Sequence, residues 1–379
     1  MTPIRALRPD DLGAVAALYE AVARSGARTP APGLVEQFER TLFGNPHVDP
    51  ELPSLVYEDP KAGIVGFLGS HPRRMRFGDR ALRMACSGQL VADPAGRPGV
   101  GALLLRKYMA GPQDLTITDG ATDTVRSMWE ALGGDTSALA SLGWTRVLRP
   151  AAFARAMLER RGKNLPRPVA RVVDAGAARR LAPEPPTGVT EPLTAATLAE
   201  TAESLAREFE LRPAYDEGYL GWLLAEAERV RARGPLERRL VSLDGVIAGW
   251  YVAYMPEGGV AQALQVGCGA RRAGAVLDRL FADAAGRSTR VQPSEASAEV
   301  APPRASHIAR TVSVAPSVIV RSWGPAMYLR SSRAPTPGRP AVGSATSWPL
   351  HAIRSPRSPK RMRRGWEPRK PTIPAFGSS

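Results

Sequence analysis

Gly99-Val100-Gly101 stands between a run that alternates like a strand and the apolar helical run Ala102 to Met109. Glycines let the chain turn tightly and carry no side chain, so successive backbone N–H groups can point outward at such a turn. The dipole of the following helix adds partial positive charge. The chemistry this allows is recognition of phosphate oxygens. A strand-to-helix turn that binds nothing uses the same residues, so the G-x-G needs its context. A dinucleotide fold places this loop after its first parallel strand, with an acidic residue about twenty positions on. Here three antiparallel strands are expected before it, which argues against a Rossmann domain.

Other reactive residue types are sparse. Cys86 and Cys268 are too few and too far apart for a disulfide framework or a four-thiolate site, which fits a reducing cytoplasm. His47, His71, His307 and His351 include no pair at metal-ligand spacing, so no metal is assigned. Asp93, Asp119 and Asp123 fall near the expected cleft, but Asp at a strand end usually serves a turn or a helix cap. No catalytic residue is assigned. His71-Pro72-Arg73-Arg74 offers positive charge that would steer an acidic substrate, against the plainer reading of a solvated hairpin end. Cys86, inside an alternating strand, reads as a small core residue.

The elements that position the loop follow from apolar spacing. Ile4 to Arg8 alternates as a short strand, and Pro9-Asp10-Asp11 caps a helical pattern at Leu12, Val15, Leu18, Tyr19 and Val22. A second helix is expected over 34–43, stopped by Gly44-Asn45-Pro46. Residues 54–58, the turn 59–63 and residues 64–69 read as a hairpin. The strand continues or restarts through 74–77, turns at Gly78-Asp79 and returns over 81–91. A strand at 115–118, a helix over 124–132 and a last strand around 143–148 close a first unit, 1–150. Residues 151–187 contain Ala182-Pro183-Glu184-Pro185-Pro186 and read as a linker. Over 188–286 the plan partly recurs, with helices at 195–210, 219–233 and 272–285 and strands at 239–243, 246–255 and 260–266. Asp244-Gly245 is its hairpin turn. The aromatic group Trp222, Trp250, Tyr251 and Tyr254 reads as core and inter-domain packing.

Charge separates the rest. The chain of 379 residues carries a net +15, but residues 287–379 hold 16 Arg and Lys against 3 Asp and Glu, with 14 Pro. The remaining residues, 35 basic and 33 acidic, are nearly neutral. The stretch 287–379 is expected to be disordered. Nucleic acid, or an acidic membrane surface, is expected only as a partner of this arm. A change of reading frame after codon 286 is favoured over such an arm, because the second unit breaks off there and composition shifts abruptly. The opening thirty residues lack the pattern of a secretory signal, and no uncharged run approaches membrane-spanning length.

In element order and local sequence, residues 1 to about 150 resemble a GNAT N-acyltransferase. The resemblance is carried by Ile4 to Asp11, by Gln89-Leu90-Val91-Ala92-Asp93-Pro94 and by Gly99-Val100-Gly101-Ala102-Leu103-Leu104. It implies an α/β (α+β) fold, a mixed and mostly antiparallel sheet flanked by helices and here duplicated. It also implies transfer of an acetyl or other acyl group from acetyl-CoA to a small-molecule or peptide amine. The pantetheine arm would pair with the backbone of Leu90, Val91 and Ala92, and the diphosphate would rest on amides from Arg97 through Gly99, Val100 and Gly101 to Ala102. Two departures stand out. Gly96 occupies the place where the family has Arg or Gln, and Thr122 and Trp129 replace its Asn and Tyr. Indole cannot act as an acid, so a catalytically inactive binding scaffold is the alternative. The second unit resembles a GNAT half more weakly, with Gly267 to Arg272 at the loop position, and is expected to be degenerate.

Overall fold

The computed structural model describes residues 3–118, 120–136, 144–159, 162–163, 166–181, 183, 185–207, 209–257, 259–269, 271–287, 317–320 and 330–331. All lie within one compact unit, Met1–Thr336.

Strand β1 (Ile4–Ala6) pairs antiparallel with β2 (Leu55–Asp59). Arg5 fastens it, reaching both carboxylate oxygens of Asp11 at 2.6 and 2.9 Å and Glu58 at 2.6 Å. Helix α1 (Leu12–Tyr19) widens into a π turn over Glu20–Arg24, and α2 (Leu34–Leu42) follows. In α2 the buried Leu34, Phe38 and Leu42 recur every fourth residue and form one stripe. That stripe packs with Leu12 and Val15 on one face of the sheet, against Val56, Phe67 and Val91.

The sheet continues through β3 (Gly63–Phe77) and β4 (Arg80–Ala92), both antiparallel, and β5 (Leu115–Thr118), parallel to β4. Helices α3 (Val100–Met109) and α4 (Asp123–Ala131) cover the opposite face, with Leu104, Leu105, Tyr108 and Trp129 packed on Leu68 and Ala85. Three antiparallel strands, a glycine loop, a helix and a parallel strand give the GNAT-like order. Of the two alternatives for 74–77, the strand continues: residues 63–77 are one uninterrupted β3.

Three features differ from expectation. Strand β6 (Trp144–Val147), expected to close the first sheet, stands in the second. The segment read as a linker folds as α5 (Pro150–Glu159) and α6 (Arg167–Leu181). Alanine is the strongest helix former and fills both segments, and the proline run begins only beyond them. Asp174 ties the pair together by accepting the amides of Ala151 and Ala152 at 2.8 and 3.0 Å. The third difference is β7 (Val189–Pro192) and β8 (Leu211–Pro213), both too short to carry a period. Between them lies α7 (Ala195–Ala206).

Helix α8 (Glu217–Glu228) precedes strands β9 (Leu236–Leu243), β10 (Val246–Tyr254) and β11 (Gln262–Cys268), and α9 (Ala273–Arg287) follows. Asp244 and Gly245, both at positive φ, make the expected hairpin turn. Trp250, Tyr251 and Tyr254 are buried as expected. Within the stretch read as a tail, β12 (Ser317–Val320) lies parallel to β11 and antiparallel to β6, and β13 (Arg330–Ser331) pairs with β5. Ser317-Val318-Ile319-Val320 is a β-branched island in an Arg, Ser and Pro background. The second sheet runs β6-β12-β11-β10-β9-β7, while β8 joins the first by pairing with β3. Among the described residues no helix is long and apolar enough to cross a membrane.

Candidate functional site

The glycine loop is held from below. Gly66 of β3 lies under α3, where a Cβ would stand 2.5 Å from Val100 Cγ1 and 3.0 Å from Leu104 Cδ1, so only glycine lets the helix start this close to the sheet. Gly99, at φ +83°, is the left-handed residue that turns the chain into α3. Leu103 donates to the Gly99 carbonyl at 3.0 Å, and the amides of Val100, Gly101 and Ala102 precede that first intrahelical bond. A Cβ on Gly99 or Gly101 would meet nothing within 4 Å, so the space over these amides is open. Val100 is buried while Gly99 and Ala102 are exposed, which anchors the loop and presents its backbone. Pro98 supplies no N–H. Arg97 is exposed and donates to Tyr57 Oη at 3.3 Å. Asp93 builds the preceding turn, accepting from Ala95 N at 2.9 Å and from Arg28 at 3.2 Å.

Beside the loop the sheet forks. The ladder between β4 and β5 runs from Met84 opposite Leu115 to Ser87 opposite Thr118 and stops. Thr118 Oγ1 donates to the Ser87 carbonyl at 3.3 Å at this last rung. Strand β4 continues to Ala92, so among the described residues the edge of Gly88–Ala92 that faces β5 has no strand partner. Gln89 sits at φ 41°, where the β3–β4 register slips between Phe67 and Gly69. The bulge re-aims the residues after it, and a positive φ at a non-glycine residue costs roughly 1–2 kcal/mol. Gln89 Oε1 lies 3.0 Å from His71 Nε2, which holds the bulge from across the strand. Val91 packs into the α1 and α2 core, while Leu90 and Ala92 pack on the α3 side. Their side chains are thus occupied, and what faces the fork is main chain.

A third feature lies at the far end of β3. Arg73, Arg74, Met75, Met84, Ile117 and Pro213 of the first sheet, and Tyr215 and Tyr219 beyond it, line with His47 a cavity of about 30 Å³. His47 is buried, its Nε2 lies 2.7 Å from Asp216 Oδ2, and its ring stacks on Tyr219 with centroids 4.0 Å apart. Burial pushes the imidazole below its ordinary pKa, opposed by the hydrogen bond to Asp216. The His47 contact holds Asp216 below the usual carboxylate range, and burial pushes Tyr219 up to about 12. His71, Arg73 and Met75 alternate along β3 and share a face, so the cavity and the Gln89 bulge open on one side of the sheet.

The predicted loop residues Arg97, Gly99, Val100, Gly101 and Ala102 and strand residues Leu90, Val91 and Ala92 are therefore neighbours around the fork. Trp129 is fully buried beneath α3, in the core. Thr122 caps α4, accepting from Val125 N at 3.3 Å, and Cys86 is a core residue. Asp123 pairs with Arg126 on the surface, and Asp119 lies outside the described residues. Sequence reasoning missed the Gln89 bulge and the His47–Asp216 contact; Gly88-Gln89 and the Asn45-Pro46-His47 turn were their only local signals. Among the described residues no cluster of His, Cys, Asp and Glu could hold a metal ion.

No family model matches the chain, and no curated protein matches it. Several solved structures are similar to it. A conserved protein of unknown function from Enterococcus faecalis V583 is 12% identical over 75% of this chain and 62% of that one, with a TM-score of 0.49. A GCN5-related N-acetyltransferase from Kribbella flavida is 15% identical over 77% and 65%, with a TM-score of 0.47. N-myristoyltransferase of Saccharomyces cerevisiae with bound myristoyl-CoA is 11% identical over 76% and 70%, with a TM-score of 0.44. The chain spans under two thirds of the length of the first two.

Proposed function

We propose that the chain transfers an acyl group from acyl-CoA, acetyl-CoA in the simplest case, to an amine, at the fork between β4 and β5. The observation that carries this reading is the juxtaposition of two unused sets of backbone groups. One is the strand edge of Leu90, Val91 and Ala92 beyond the last rung at Ser87 and Thr118. The other is the first-turn amides Val100, Gly101 and Ala102 under open space.

The residues fit the ligand in kind. An extended pantetheine arm carries amides that pair with a strand edge as another strand would, and a diphosphate suits a helix N-terminus. Bound there, the thioester supplies an activated carbonyl to an attacking amine. The chain orients it: Gln89 turns β4 at the fork, His71 contacts Gln89, and Thr118 closes the last rung of the ladder before it. Trp129, in the core, takes no part in proton transfer.

That same burial of Trp129, with Gly96 in the loop, favours a second reading in which the fork binds acyl-CoA without turnover. Calorimetry with acetyl-CoA, followed by an amine panel with detection of released thiol, tests both. Absence of binding at millimolar acetyl-CoA refutes both, and turnover of any amine refutes the second.

A further inference from the structure

We propose that the second sheet carries a fork of its own, which binds CoA or its thioester and does not turn it over. The proposal rests on the acyl-transfer reading for the identity of the ligand and takes nothing from the reaction.

Repeated geometry is the first argument. Strand β12 runs parallel to β11, as β5 does to β4, and its last rung sets Val320 opposite Ala263. The β10–β11 register then slips between Val252 and Ala253, which leaves Leu264 as the extra residue of a bulge. At the first fork the ladder likewise stops at Ser87, close before the bulge at Gln89. Past the bulge, β11 keeps β10 on one side, and among the described residues the other edge of 265–267 has no strand partner.

Helix α9 completes the likeness. Val276 donates to the Arg272 carbonyl at 3.3 Å, so the amides of Ala273, Gly274 and Ala275 precede the first intrahelical bond, as those of Val100, Gly101 and Ala102 do in α3. Gly274 is second in its helix, as Gly101 is, and it is exposed; a Cβ on it would meet nothing within 4 Å. Arg272 donates to the Ile247 carbonyl at 3.2 Å and pins the loop to β10, while Arg271 beside it is exposed. Amides under open space at a helix start suit a diphosphate.

Trp250 is the second argument, independent of the first. It is only 5% exposed, and its Nε1 is buried with no hydrogen-bond partner. Buried donors are rarely left so, because an unmade hydrogen bond forfeits the solvation of the group. Gly267 lies directly opposite Trp250 across β10 and β11, and a Cβ on it would overlap Cε2, Cζ2 and Cη2 of the indole. The ring therefore lies on the Gly267 backbone, and Cε2 is the carbon that carries Nε1. The orphan donor is held at the strand whose edge is open, where a carbonyl of a pantetheine arm laid along 265–267 supplies the acceptor it lacks.

The same side chain accounts for the absence of turnover. Trp250 packs with Leu198, Leu220 and Val252 on the face of the sheet opposite α9. On the corresponding face of the first sheet, opposite α3, Phe67, Gly69 and His71 alternate and Gln89 lies over Gly69. Indole fills in the second sheet the space that a polar pair holds in the first, so an amine has no approach to a thioester there.

The test is calorimetric titration of the full chain with acetyl-CoA, with thermal unfolding to show that each variant is folded. The unaltered chain should bind two equivalents. Gly101→Asp should leave only the second fork at its original affinity, Gly274→Asp only the first, and the double variant neither. Trp250→Phe keeps a ring over Gly267 and removes the N–H, so it should weaken the class that survives Gly101→Asp by about 3- to 10-fold and leave the other unchanged. Should Gly274→Asp fail to fold, Arg271→Glu serves instead and should weaken the same class at least about 10-fold. A single equivalent that Gly101→Asp abolishes overturns the proposal and leaves acyl transfer at the first fork standing. A single equivalent that survives Gly101→Asp and is lost in Gly274→Asp supports the second fork and refutes the first. No binding at millimolar acetyl-CoA overturns both, and a second class unmoved by Trp250→Phe overturns the role of the indole.

Discussion

Replacing Gly101 by Asp separates folding from binding at the loop. The position is half-buried in the first turn of α3, and a Cβ there meets nothing within 4 Å. For the fold alone the change is favourable: Asp has a higher helix propensity than Gly, and a carboxylate at a helix N-terminus gains about 0.3–1 kcal/mol. Thermal unfolding should stay in place or rise by about 1–4 °C. For a diphosphate on the same amides the change is unfavourable. A unit charge about 5 Å away costs roughly 3 kcal/mol at an effective dielectric of about 20, and solvent over the exposed loop cuts this to about 1.4–2.8 kcal/mol. Acetyl-CoA should therefore bind about 10- to 100-fold more weakly, less so as salt is raised. Gly101→Asn, nearly equal in size and uncharged, should lose less than about threefold. Calorimetry and thermal unfolding on the three proteins decide it. Unchanged affinity in Gly101→Asp would refute diphosphate binding here, and an equal loss in Gly101→Asn would refute its electrostatic basis.

Four further outcomes are expected. Gly66→Ala should destabilise the fold by about 1–3 kcal/mol because its methyl overlaps Val100, and Val100→Ala in the same chain should recover part of the loss in thermal unfolding. Thr118→Val leaves the buried Ser87 carbonyl without its hydroxyl donor, a cost of about 1–3 kcal/mol that denaturant titration would read; no loss would show the rung to be idle. Well above pH 6.5, the ordinary imidazole value, His47 is neutral whether folded or not; as the pH falls through it the unfolded chain binds a proton that the buried ring resists, so stability falls as the pH falls. His47→Gln should flatten the unfolding temperature between about pH 7 and about pH 5, while parallel curves for both proteins would exclude the effect. If the basic stretch is an arm for nucleic acid, with nine Arg and Lys against one Glu over 337–379, binding should fall steeply with salt and vanish on removal of those residues.

The sequence made most of the first sheet legible because its signals are local. The strand runs at 54–58 and 81–91, the Gly99-Val100-Gly101 loop and the Asp244-Gly245 turn each declare an element without reference to anything distant. The loop and strand residues of the candidate site were readable for the same reason, since Leu90 to Ala102 is one continuous stretch. Pairing was not local, and there the reading stopped. The four residues of β6 say that a strand exists near Val147, but its neighbours lie in a segment about 170 residues further on. Leu211–Pro213 is too short to show a period and is a strand only because the far end of β3 offers it an edge. The Gln89 bulge follows from a register slip between two strands, which neither strand carries alone.

Those non-local features also cover the far end of β3. Pairing of β8 with Met75 to Phe77 carries Pro213, Tyr215 and Asp216 onto the face of β3 that holds His71 and Arg73. Arg40 and Glu226, 2.9 Å apart, tie α2 to α8 above the same face. Isolated from its partner, the first sheet would leave His47 without Asp216 and the cavity without its aromatic wall. A chain cut near residue 150 should therefore retain the fork and the glycine loop, and with them acetyl-CoA binding. If such a fragment folds and does not bind acetyl-CoA although the full chain does, the fork and the loop are not sufficient for the site.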